Sequence, residues 1–107
     1  MTYAEKLKDY RWQAKRSEAI LAANGFCEDC GNRLGFNGLE VHHCCYITGR
    51  DPWDYDLDLL RCVCRPCHQD RQGKEQAAHI CLGKRLRKMS REELEEAVWA
   101  MLKEQTQ

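Results

Sequence analysis

Asp58-Leu-Leu-Arg-Cys-Val-Cys-Arg-Pro-Cys-His68 decides the fold, because strand, metal knuckle and helix start follow one another in it without a gap. Leu57 to Val63 is apolar enough for a short strand, and Pro66 stands where a helix can begin, since the first helical turn has no use for the missing N–H. Cys64 and Cys67 bracket a two-residue gap, with His68 directly after. Such a gap lets a tight turn aim both sulfurs at one ion. Toward the N-terminus the pattern recurs as Cys27-Glu-Asp-Cys30, so the two knuckles offer the four thiolates of a tetrahedral Zn²⁺ site. His42, His43 and His68 are then free to build a second, chemically open site.

Leu39-Glu-Val41 begins a strand, with Leu57 to Val63 as its antiparallel partner, and a helix runs from Pro66 toward His79. Gly73 weakens that helix by roughly 1 kcal/mol relative to Ala. Neighbouring residues on a strand point to opposite faces, so His42 and His43 cannot do the same job unless the strand bends, and a bend or bulge is expected there. Tyr3, Leu7, Tyr10, Ala14 and Leu21 recur at helical steps and predict an amphipathic helix over 3–23, ended by Asn24-Gly25. Ser90-Arg-Glu-Glu93 is a capping box, followed by Leu94, Ala97, Val98, Met101 and Leu102 on one helical face. No internal repeat or low-complexity segment interrupts the chain.

A chain of 107 residues is expected to be one domain with a modest apolar core. Metal binding contributes on the order of 10 kcal/mol to folding at neutral pH, so the metal-free form is expected to be poorly folded. Met1-Thr-Tyr-Ala-Glu-Lys-Leu-Lys-Asp9 lacks the apolar core of a signal peptide, and no apolar run reaches membrane-spanning length. The expected location is the cytoplasm, where the eight cysteines stay reduced and CxxC pairs bind metal. A thiol-disulfide enzyme is disfavoured, because neither knuckle sits in a thioredoxin-like βαβ context. Cys44, Cys45, Cys62 and Cys81 read as small buried apolar side chains, with a competing zinc set through Cys62 or Cys44 left open. His79 and Cys81 receive no ligand role.

Net charge is zero but unevenly spread: +2 over residues 1–24, −5 over 25–60, +7 over 61–91 and −4 over 92–107. The basic segment continues from the second knuckle through Arg71, Lys74, Lys84, Arg85, Arg87, Lys88 and Arg91. A solvated surface is one reading and a phosphate-binding face the other. The adjacent histidines favour phosphate, with Arg65, Arg71 and Lys74 as contacts to the DNA backbone rather than to base edges. Arg61 leans the same way.

In this order of pieces the sequence resembles the HNH endonucleases. The resemblance rests on Leu39-Glu-Val-His-His43, the loop Tyr46-Ile-Thr-Gly-Arg-Asp-Pro-Trp-Asp-Tyr55 and Asp58 to His68, preceded by the Cys27 knuckle. Trp12-Gln-Ala-Lys-Arg16 is similar to a run in small phage and bacterial members, and the likeness covers roughly residues 3–74. It implies an α+β fold with a ββα-metal (His-Me finger) core, a four-cysteine structural zinc site and flanking helices. The expected divisions of the single 1–107 domain are a helical N-terminus over 3–24, the zinc and ββα core over 26–80 and a C-terminal helix over 90–104. The implied activity is metal-dependent hydrolysis of DNA phosphodiester bonds in a bacterial or phage-infected cell, with no membrane partner.

His43 matches the family's general base, and His42 and His68 match the two protein ligands of the catalytic ion. An unperturbed imidazole titrates close enough to neutrality to serve as that base. His42 stands where most relatives carry Asp, and imidazole widens the choice of ion to Mn²⁺, Ni²⁺, Zn²⁺ or Mg²⁺. One position departs from the pattern. The family's middle asparagine falls on Leu59, which cannot hydrogen-bond through its side chain, and Asp58 substitutes only after a one-residue slip. The alternative is therefore a catalytically inactive, zinc-stabilised module that binds nucleic acid or protein as a phage or plasmid regulatory factor.

Overall fold

The computed structural model describes residues 1–105, a mixture of helices and one small sheet divided into two compact units, Met1–Arg71 and Gln72–Gln107. The first unit contains α1 (Tyr3–Lys6), α2 (Tyr10–Ala22), α3 (Gly35–Gly38), β1 (Leu39–His43), β2 (Leu60–Cys64) and the start of α4 (Arg65–Arg87). The second contains the rest of α4 and α5 (Arg91–Gln105).

The N-terminal helix expected over 3–23 is two helices. Thr2 and Glu5 close a capping box on α1, which stops at Leu7, and the Asp9 side chain then accepts the Arg11 N–H at 2.9 Å to start α2. A short carboxylate competes well for backbone N–H groups at a helix start and poorly inside a helix, so Asp9 divides the run. The predicted stop stands. Asn24 and Gly25 take φ of 56° and 76°, and their N–H groups donate to the carbonyls of Leu21 and Ile20.

β1 and β2 pair antiparallel from Leu39↔Cys64 to His43↔Leu60, with every residue matched. The bend expected at His42-His43 is therefore absent, and an unbroken ladder sends the two side chains to opposite faces. Leu57–Leu59, expected in the second strand, forms a 3₁₀ turn whose last carbonyl accepts the Cys44 N–H at 2.9 Å. That bond closes the sheet at the end where the β1–β2 loop leaves. On one face, Leu39, Val41 and Leu60 pack with Trp12, Ala19 and Ile20 of α2 in the core. Arg16 of α2 donates to the carbonyls of Phe36 and Leu39 at 2.6 and 2.7 Å, fixing α3 and the start of β1 against the helix.

β2 runs straight into α4, which continues through Gly73 to Arg87, further than expected. Lys84, Arg85 and Arg87 in its last turn complement the negative end of the helix dipole. The predicted capping box forms, with Ser90 and Glu93 exchanging backbone and side-chain bonds at 3.0 and 3.1 Å. Neither α4 nor α5 buries a residue. Among the described residues no helix is long and apolar enough to cross a membrane.

Candidate functional site

The four cysteines of the two knuckles converge, their sulfurs all within 4.8 Å of one another. The first knuckle is a turn closed by Cys27 N–H to Asn32 O and Gly31 N–H to Cys27 O, with Gly31 at φ 81°. Glu28 holds it on β2 with two backbone-directed bonds. The Glu28 N–H donates to Cys62 O, and Glu28 Oε1 accepts the Cys62 N–H, both at 2.8 Å. Cys27 and Cys30 thereby meet Cys64 at the strand end and Cys67 on the first turn of α4.

Cys30 Sγ and Cys64 Sγ lie 3.8 Å apart. A tetrahedral ion with metal–sulfur bonds of about 2.3 Å requires sulfurs about 3.8 Å from one another, so the set can close on a metal ion with little movement. Burial raises the Cys27 thiol pKa, but N–H donors from Cys30, Cys64 and Asp29 outweigh it and bring it down to about 6. Sulfur-to-sulfur bonding, chiefly from Cys64, pushes Cys67 up to about 12. One thiolate in a crowd of protons is the state a cation would relieve. Cys62, fully buried and pushed up to about 11 by burial, is the small apolar residue it was read to be. Cys44 and Cys45 are only half-buried and Cys81 is exposed, which corrects that reading for them. Cys44 Sγ lies within 4.8 Å of a His42 ring nitrogen.

Asp29, inside the first knuckle, accepts from Arg61 at 2.6 Å and from Arg71 at 2.7 and 2.9 Å. Those bonds, Arg71 first, hold its carboxyl well below the usual carboxylate range. Arg65 reaches Glu40 at 3.3 Å while its side chain stays 75% exposed. All three arginines read as phosphate contacts, Arg61, Arg65 and Arg71, are thus seated on carboxylates in this unit. Lys74 lies in the second unit.

The histidines occupy both faces of β1. His42 meets His68 edge to face, ring centres 5.0 Å apart. His68 Nδ1 donates to Glu40 Oε1 at 2.8 Å, which leaves Nε2 as the nitrogen with a free lone pair. Glu40 is held below its usual pKa by that bond first and by Arg65 as well. His43 stacks between Trp12 and Tyr46, at 5.1 and 5.4 Å, with Tyr55 edge-on at 4.8 Å. Its Nε2 donates to the Pro52 carbonyl at 3.0 Å, so the neutral ring carries its lone pair on Nδ1. Burial lowers the His43 pKa and His42 lowers it further, while the Pro52 carbonyl pulls the other way.

The β1–β2 loop is tied down around this ring. Tyr55 Oη accepts the Ile47 N–H at 2.9 Å, Lys6 pairs with Asp51 at 2.7 Å, and the Arg11 guanidinium lies 4.2 Å from the Trp53 ring centre. Glu40, Pro52 and Glu28 were not singled out from the sequence. Glu40 had a signal, since it stands two residues before His42 and so shares its face. The other two had none, because a backbone carbonyl and a surface glutamate look alike in any loop. No family model matches the chain, and neither does any curated protein or solved structure.

Proposed function

We propose that this chain is a zinc-stapled HNH-type endonuclease that hydrolyses DNA phosphodiester bonds with the help of a second divalent ion. The observation that carries the reading is the pair of oriented imidazoles in and beside β1, His68 set by Glu40 and His43 set by the Pro52 carbonyl. The order β1, loop, β2, α4 supports a ββα-metal core. Cys27, Cys30, Cys64 and Cys67 hold structural Zn²⁺, whose N/S donor set they match. His42 and His68 hold the catalytic ion, which when bound supplies positive charge to the leaving oxygen.

His43 takes a proton from the attacking water at Nδ1. Its Nε2–H is committed to Pro52, which fixes the tautomer, and its burial lowers the pKa, so the ring is a weaker base but stays neutral, and able to accept a proton, to lower pH. Arg65, its side chain 75% exposed at the start of α4, supplies phosphate-facing charge, Arg71 does so only by leaving Asp29, and Lys74 is a further backbone contact. Leu59 replaces the family's asparagine side chain, and its own carbonyl bond to Cys44 N–H supports the loop instead.

Plasmid nicking tests the reading. Cleavage should be faster in Mn²⁺ or Ni²⁺ than in Mg²⁺, because imidazole ligands suit the softer ions. His43→Gln keeps an N–H donor near Pro52 and removes the base, so the rate should fall about 10² to 10⁴-fold with zinc content and melting temperature retained. A second reading is favoured by two observations: His43 is only 4% exposed beneath its aromatic neighbours, and the unbroken ladder sends it to the face of β1 opposite His42. In that reading His43 is a core residue of a zinc-stapled binding module. Absence of cleavage with every one of these ions, on duplex and single-stranded DNA, selects it.

A further inference from the structure

Besides the four converging cysteines, a second group of metal-binding side chains gathers at the end of β1. The pairing of β1 with β2 does not stop at His43↔Leu60, because the Cys44 N–H donates to Leu59 O at 2.9 Å, the next pair in the same register. Side chains two residues apart on a strand share a face, so Glu40, His42 and Cys44 stand in one row, on the face turned away from α2. The distances agree with that placement. A His42 ring nitrogen and Cys44 Sγ lie within 4.8 Å of one another. His68 meets the His42 ring with centres 5.0 Å apart. Its Nδ1–H is committed to Glu40 Oε1, so Nε2 is the nitrogen that can bind a cation.

On one tetrahedral ion, an imidazole nitrogen at about 2.0 Å and a thiolate at about 2.3 Å stand about 3.5 Å from each other. Rotation of side chains is enough to bring His42 and Cys44 to that spacing, and the strand need not move.

We propose that Cys44, through its thiolate, is a third protein ligand of the ion held by His42 and His68. The proposal rests on the reading of those two histidines as ligands, and it fixes the class of ion. Two imidazoles and a thiolate with one position open are a donor set for Zn²⁺, Co²⁺ or Ni²⁺ and a poor one for Mg²⁺, which takes oxygen ligands. When the ion binds, a sulfur–metal bond replaces the S–H bond and the proton leaves to solvent. The thiolate then neutralises one of the ion's two charges.

Cobalt titration of the full, zinc-loaded chain tests this, with zinc measured in the same samples to show that the four-cysteine set keeps its ion. The wild type should bind one further Co²⁺ and develop a thiolate-to-cobalt charge-transfer band in the near ultraviolet. Cys44→Ser should lose that band and bind cobalt about tenfold or more weakly, since losing even an outer-shell partner costs about 10 to 100-fold. Cys45→Ser, at the neighbouring thiol, should keep both. Circular dichroism and retained zinc report that each variant is folded. A second cobalt bound without the band, or a band that survives Cys44→Ser, overturns the role of Cys44 and leaves the two histidine ligands standing. No second cobalt in the wild type overturns the ion site altogether. A band that depends on Cys44 in a protein that does not cleave DNA supports the ligand and counts against the nuclease reading alone.

Discussion

Glu40 shows how one side chain ties a strand to the helix that follows it. It accepts from His68 Nδ1 and from Arg65, so it fixes the tautomer of His68, the proposed ligand, and pairs with a cation at the same edge of the strand. Partners of this kind typically change metal affinity by about 10 to 100-fold. Glu40→Gln should therefore weaken Mn²⁺ or Ni²⁺ binding by that factor in calorimetry of the zinc-loaded protein, while the zinc content itself stays unchanged. His43 carries a pH signature. Its pKa is lowered in the native state, so the ring stays unprotonated to lower pH, and on the proposed mechanism the acid limb of the cleavage rate should fall below the ordinary imidazole value of about 6.5. The stability sign follows from the same shift. As pH drops below about 6.5 the unfolded chain takes up this proton before the native one does, so the His43 contribution is intact above that value and is lost toward the lowered native pKa. A melting temperature with less acid sensitivity in His43→Gln would report it. The histidines themselves were readable as candidates, but their rotation was not, since Pro52 and Tyr46 reach His43 through a loop whose path no periodicity describes.

At the scale of elements, the first knuckle and β2 act as one piece through Glu28. Glu28→Ala leaves the buried Cys62 N–H without its acceptor, a loss of about 1–3 kcal/mol that thermal denaturation should detect with zinc still bound. The helices show what a local pattern can and cannot predict. The Ser90 box and the Asn24-Gly25 stop were legible because capping and left-handed backbone are decided within a few residues. The break at Asp9 was missed for a related reason: the apolar period runs through it, and only the competition for the Arg11 N–H ends the first helix. The unbroken β1–β2 ladder also differs from the expected bulge. Leu39, Val41 and Leu60 are all buried against α2, and a one-residue slip would turn that set away from the helix.

For the whole molecule, the core and the converging cysteines lie in the first unit, so its fold should depend on metal. Chelation of zinc, or Cys30→Ser, should unfold residues 1–71 cooperatively, with loss of the packed environment around buried Trp12 in near-ultraviolet circular dichroism. The sequence by itself determined the four cysteines able to hold a metal ion and the Ser90 and Asn24-Gly25 helix ends, because a CxxC gap and a capping box are short-range geometry that few arrangements of the chain can alter. Only the tertiary structure decided that Glu40 orients His68 across 28 residues and that Asp29 seats Arg71 across 42. Those contacts depend on where β2 delivers the chain into α4. A carboxylate far away in sequence carries no mark of the cation that folding will bring to it.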